Sequence, residues 1–158
     1  MLFNVKNFKI QEAKNIKFVK PVSIHYELNG KKRVWDAIIS HASVAILLYD
    51  EDKKCFVLVK QFRPPVYMNN DKHLYTYELC AGIVDKGLSL EQIAIEEVDE
   101  ECGYQIKKEN LEKITSFFTH VGISGSEQHL YFSRVNSSMK AHGGGGIETE
   151  DINVEYLP

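Results

Sequence analysis

Residues 95 to 104 read Ile-Glu-Glu-Val-Asp-Glu-Glu-Cys-Gly-Tyr, and they put carboxylates where a helix should bury hydrocarbon. At roughly 100° per residue, Leu90, Ile93, Ala94 and Val98 form one apolar stripe. Glu97 and Glu101 fall inside that stripe and Glu100 on its border, while Asp99 points the other way and Glu96 lies well outside. A buried carboxylate is costly unless something positive meets it. Most acidic runs in helices are solvated faces, and spacing alone reads this one the same way. The flanks reverse that reading. Gly82 begins a loop, Asp85-Lys86-Gly87 is a turn, and Ser89 with Gln92 has the spacing of a capping box. Gly103 then stops the helix. The acids therefore occupy its last two turns, behind a tight loop whose backbone carbonyls can reach the same point. Oxygen donors without Cys or His suit Mg2+ or Mn2+.

Residues 82–104 resemble the signature of the Nudix hydrolases: Gly, five residues, Glu, seven residues, then Arg-Glu-aliphatic-x-Glu-Glu-x-Gly-aliphatic. Gly82 opens the pattern, Glu97 to Gly103 close it in register, and Tyr104 takes the final apolar position. Two positions depart. Leu88 stands where the first Glu belongs and Glu96 where the Arg belongs. In the family those two form an ion pair that braces loop against helix, so losing both is less damaging than losing one. Residues 33–36, 57–65, 77–82 and 120–126 together resemble the nucleoside-diphosphate-sugar pyrophosphatases, on the side of those acting on uridine diphosphate glucose. The resemblance runs from about residue 18 onward. Relatives of this kind continue past the last strand into a closing helix, whereas the sequence given ends at Leu157-Pro158.

The resemblance implies an α/β fold, a Nudix-type α/β/α sandwich with a mixed sheet. It implies metal-dependent hydrolysis of a nucleoside diphosphate sugar, UDP-glucose-like or ADP-ribose, to nucleoside monophosphate and sugar phosphate. The ADP-ribose branch carries a proline beside a glycine after the box, and Val121 takes that place here. The implied ions are Mg2+ or Mn2+, held by Glu97, Glu101 and Glu100 with the backbone carbonyl of Ala81. Arg63 is the phosphate clamp, since a guanidinium grips two oxygens and stays charged; on spacing alone it is a surface arginine. Glu78 reaches either a metal, the sugar or a structural hydrogen bond. The general base falls in residues 143–151, where four glycines precede Glu148 and Glu150, with Glu148 favoured by register. Those glycines give a loop freedom to close over substrate, or else a floppy linker without a role. Trp35 and Asp36 resemble a pair that stacks a nucleobase and bonds its edge, with Phe18 on the other face; a lone Trp is otherwise a core residue. Stacking residues come from both subunits in the relatives, which implies a homodimer. The missing box Arg and Glu leave a second reading, a Nudix-fold module that binds nucleotide sugars without cleaving them.

The remaining chain agrees. β-rich runs at 22–28 and 34–39 flank Asn29-Gly30, a hairpin signal. Further strands are expected at 44–49, 56–62, 74–80, 111–118, 129–135 and 152–156, around one central helix. Residues 1–40 are expected to carry base recognition and dimer contacts, and 41–158 the hydrolase core. A net charge of −3 argues against a nucleic-acid binder. Cys55, Cys80 and Cys102 sit in apolar contexts and read as reduced core thiols of a cytoplasmic protein. No signal peptide or membrane span is legible, so no membrane partner is expected.

Overall fold

The computed structural model describes residues 5–11, 16, 19–148 and 150–158. Its chain forms two sheets. Strands β1 (Lys20–Leu28) and β2 (Lys31–Ile39) make an antiparallel hairpin that forms its own two-stranded sheet, joined to the loop over residues 120–125 by the Ile38 N–H on the Ile123 carbonyl at 2.9 Å. Its turn needs two consecutive residues with positive φ, and Asn29 at 55° with Gly30 at 71° supply them.

The second sheet has seven strands: β3 (Ser43–Asp50), β4 (Cys55–Gln61), β5 (Thr76–Glu78), β6 (Cys80–Ile83), β7 (Leu111–Thr119), β8 (Ser126–Val135) and β9 (Ile152–Leu157). The order β5-β4-β3-β8-β7 runs across it, with β6 added on β3 and β9 on β4. β3 and β8 are parallel and the other pairs antiparallel, which makes the sheet mixed. The single strand expected over 74–80 is in fact two, because the chain leaves β4 after Glu78 and joins β3 from Cys80. A short helix α1 (Pro64–Asn69) was not anticipated. Pro64 and Pro65 end the preceding strand and occupy a first helical turn, where a missing N–H costs nothing.

The long helix α2 (Leu90–Cys102) is built as the sequence implies. Ser89 Oγ accepts from the Gln92 N–H at 3.2 Å, and Gln92 Oε1 accepts from the Ser89 N–H at 3.0 Å. Gly103 ends it at φ 69° and donates to the Asp99 carbonyl at 2.8 Å. Ile93, Ala94, Val98 and Cys102 of α2 are fully buried against Val44, Ile46 and Leu48 of β3 and Val57 and Val59 of β4. Burying one such aliphatic side chain contributes about 1.5–3 kcal/mol, so this layer fixes α2 on the sheet. Tyr104 closes the far end: its hydroxyl donates to the buried Asp50 at 2.8 Å. The three cysteines are free and buried, as expected. Among the described residues, no helix is long and apolar enough to cross a membrane.

Candidate active site

The C-terminal half of α2, the β6 backbone and one end of the main sheet enclose a cleft of about 380 Å3. Glu97 and Glu101 reach it from α2, Ala81 and Gly82 from β6, and Arg63, Glu78 and Glu150 from the surrounding segments. Glu101 is only 4% exposed, and its Oε2 accepts from the Ala81 N–H at 3.0 Å. Burial pushes its carboxyl up to about 7, against the Ala81 N–H and the Cys80 thiol, with the Glu150 charge adding to the rise. Burial likewise raises Glu97 to about 7, helped by Glu101 and Glu100. Two carboxyls so raised are short of positive charge.

Gly82 is required by contact. A Cβ there would lie 2.0 Å from Glu97 Oε1, so the glycine leaves room for the carboxylate to cross β6. Ala81 stands opposite Ala45 in the β3–β6 ladder, yet its N–H turns to Glu101. The carbonyl of an extended residue leaves on the same edge as its N–H, so the Ala81 carbonyl also faces away from β3. Glu100 does not line the cleft. Among the described residues, no three acidic, His or Cys side chains converge into a ready-made metal cage.

Arg63 and Glu78 meet in the cleft as a bidentate pair. Arg63 Nε donates to Glu78 Oε1 at 2.9 Å and Nη2 to Oε2 at 2.8 Å, and the Thr76 hydroxyl donates to the same carboxylate. Burial alone would raise Glu78, but Arg63 and Thr76 hold its carboxyl below the usual range. The pair has a local origin: Arg63 follows β4 and Glu78 ends β5, the strand paired to β4.

The glycine-rich segment is not free. The last turn of a helix leaves carbonyls without partners, and here the segment supplies them. Gly146 N–H donates to the Glu100 carbonyl and Gly145 N–H to the Glu101 carbonyl, both at 3.0 Å. Ala141 N–H donates to the Gly103 carbonyl at 2.9 Å. Gly144, at φ 73°, packs so closely that a Cβ would lie 2.3 Å from the Glu101 carbonyl oxygen. His142 adds a side-chain link, its Nε2 lying 3.2 Å from Asp99 Oδ1. In this structure the segment is an arm seated on α2. The arm delivers Glu150 to the cleft, where Glu150 Oε2 accepts from the Ile147 N–H at 3.0 Å. Glu148, the residue favoured by register, is exposed and does not line the cleft.

The expected base-binding pair separates. Trp35 and Asp36 lie on β2, outside the cleft lining, and successive strand residues face opposite sides. Trp35 Nε1 donates to the Gly122 carbonyl at 2.9 Å, and Asp36 accepts from the Ser23 hydroxyl at 2.8 Å. Phe18 lies outside the described residues.

The departures in the box leave an ion pair between loop and helix. Lys86 Nζ lies 3.0 Å from Glu96 Oε2, so the loop supplies the cation and the helix the anion, the reverse of the family's brace. Ser43, Gln61 and Gln128 also line the cleft and were missed in the sequence. Gln61 could have been found from its place two residues before Arg63. The Ser43 and Gln128 positions are joined only by the parallel β3–β8 pairing, which leaves no local trace.

The NUDIX domain family profile matches residues 39–157. The uridine diphosphate glucose pyrophosphatase of Bos taurus is 36% identical over 169 aligned residues, covering 89% of this chain and 76% of that protein. The GDP-mannose pyrophosphatase of Pectobacterium atrosepticum is 35% identical over 113, covering 72% of this chain and 57% of its own. Among solved structures, an ADP compounds hydrolase superposes with a TM-score of 0.66 at 18% identity, covering 92% of this chain and 81% of that one, which speaks to the fold.

Proposed function

We propose, for a chain that belongs to the Nudix family and is a Nudix hydrolase, the divalent-cation-dependent hydrolysis of a nucleoside diphosphate sugar to nucleoside monophosphate and sugar 1-phosphate. One observation carries this reading: four carboxylates, Glu78, Glu97, Glu101 and Glu150, face a single guanidinium, Arg63, in one cleft. A diphosphate diester brings two more negative charges. It can enter only with added cations, and the donors present are all oxygen, which fits Mg2+ or Mn2+. Mg2+ needs only one or two protein carboxylates besides water and substrate phosphates, so the lack of a preformed cage is compatible with it.

Glu97 and Glu101 would hold the ion, with the Ala81 carbonyl beside them. When bound, it supplies neutralisation of the diphosphate and acidification of the attacking water. The protein does the rest. Arg63 spends Nε and one Nη2 hydrogen on Glu78, which fixes the plane of the guanidinium and leaves its other N–H groups for phosphate oxygens. Glu150, which lines the cleft, accepts the proton of the water; Glu148 and Glu100 do not line it and take no part in this step. The water oxygen bonds to one phosphorus, the bridging P–O bond breaks, and the other phosphate leaves.

The names of the relatives point to UDP-glucose ahead of GDP-mannose and ADP-ribose. Residues 1–40 are assigned base recognition, through Trp35, and contacts with a second copy. Support comes from a two-stranded hairpin, tied to the rest of the chain through Trp35–Gly122 and Ile38–Ile123 hydrogen bonds, that exposes Ile24, Leu28, Val34 and Trp35. The reduced buried thiols support a cytoplasmic setting. The test is a panel of UDP-glucose, GDP-mannose and ADP-ribose with Mg2+, read by chromatography of released nucleotide. UMP from UDP-glucose is expected; tight binding without any released monophosphate would make the protein a binding module instead.

A further inference from the structure

The cleft has a second wall that differs from the acidic one. Gln61 ends β4, Ser43 begins β3 and Gln128 lies near the start of β8. Because β4 is antiparallel to β3 and β8 parallel to it, all three residues stand at the same end of the sheet. Gln128 Nε2 donates to Ser43 Oγ at 3.2 Å. That bond leaves the Ser43 hydroxyl hydrogen, the Gln128 carbonyl oxygen and one Gln128 N–H available. The Gln61 side-chain amide has no hydrogen-bond partner among the described residues. All three residues are half-buried.

These groups are neutral, and each offers both a donor and an acceptor. A phosphate would need cations that this wall lacks. A nucleobase would seek a ring to stack on, and among the described residues none lining the cleft is aromatic. A polyhydroxylated ring is the ligand that donates and accepts at every position without charge or a stacking face. Half-buried polar groups that a hydroxyl satisfies also reject a ligand without one, since they are then left unpaired.

We propose that Ser43, Gln61 and Gln128 form the subsite for the sugar, selecting an uncharged polyol on the phosphate remote from the nucleoside. This rests on the hydrolase reading above and adds the part of the substrate that the metal and Arg63 do not read.

The experiment compares UDP-glucose with the methyl ester of uridine diphosphate, which keeps the nucleotide and the diphosphate charge but removes the ring. kcat/KM is measured for both with Mg2+ in the wild type, Gln61→Leu and Gln128→Leu. Where the wild type turns over neither compound, Kd by calorimetry is read in its place, so a failed hydrolase reading and a failed subsite are distinguished. The wild type is expected to prefer UDP-glucose, and each variant to lose roughly tenfold of that preference with the methyl ester unchanged. Gln61→Asn and Gln128→Asn, which shorten the reach by one methylene, give the same comparison should a Leu variant not fold. Equal losses on both compounds, or a preference kept in the variants, would overturn the subsite.

Discussion

Two segments bring glutamates to the cleft, and they are held in opposite ways. α2 carries Glu97 and Glu101 on a helix fixed by its own capping box and by a fully buried apolar face. The arm formed by residues 141–148 carries the chain on to Glu150 and, among the described residues, contains no helix or strand; its backbone N–H groups fasten it to the carbonyls at the end of α2. One segment is rigid by itself and the other only through the first. The lesson is that the site depends on two kinds of glycine. Gly82 makes room for a side chain, whereas Gly144 makes room for a backbone.

Substituting those two glycines separates the two segments. Gly82→Ala would put a methyl 2.0 Å from Glu97 Oε1, the end of a flexible side chain that can swing away. Turnover is expected to fall by about 100-fold with little change in melting temperature, since displacing a carboxylate proposed to hold the cation costs transition-state stabilisation and not packing. Gly144→Ala meets the Glu101 carbonyl, which cannot move, at a positive φ that alanine resists. It should cost about 1–3 kcal/mol of stability in urea unfolding and increase amide exchange across 143–150, while α2 itself stays protected. Equal loosening of α2 would show that the two segments are one unit.

A smaller effect concerns pH. Glu97 and Glu101 rise from 4.5 to about 7 on folding, so the folded protein holds protons that the unfolded chain has released. That advantage is complete below about 4.5 and is lost as the pH rises through about 7. The metal-free protein should therefore lose on the order of 2 kcal/mol of stability between pH 5 and 8, and divalent metal should restore it. Thermal melts with and without Mg2+ at both pH values check this; stability that rises with pH in the metal-free protein would contradict it. The smallest effect belongs to the reversed brace. Lys86 and Glu96 are each nearly half exposed, so Lys86→Ala should cost no more than about 0.5 kcal/mol in a melt. Lys86→Glu combined with Glu96→Lys should recover it.

The difference between the two segments also explains what was legible. α2 declares itself because its signals are local: Ser89 and Gln92 three residues apart, Gly103 at its end, and carboxylates interrupting a helical stripe. The box acids at Glu97 and Glu101 reach the cleft as that pattern implies, and Arg63 and Glu78 do so from adjacent strand ends. The arm misleads because four glycines look the same whether they are free or seated against a helix end about forty residues away. That is why Glu150, and not Glu148, arrives at the cleft. Glu100 shows the limit of angular counting, since a residue on the stripe's border gives its carbonyl to Gly146 but no side chain to the cleft lining. Trp35 and Asp36 are neighbours in sequence, yet strand alternation sends them to opposite faces.

On the proposed mechanism the carboxylates of α2 serve a diphosphate only through a divalent cation, and Glu101→Gln tests that dependence most directly. Gln keeps the size of the side chain and its hydrogen bond from Ala81 while removing the charge. With UDP-glucose as substrate, the wild type should release UMP with Mg2+ and not with EDTA. The variant, folded by circular dichroism, should lose at least about 100-fold of the Mg2+-dependent rate. Full activity in the variant, or UMP release that persists in EDTA, would contradict the account.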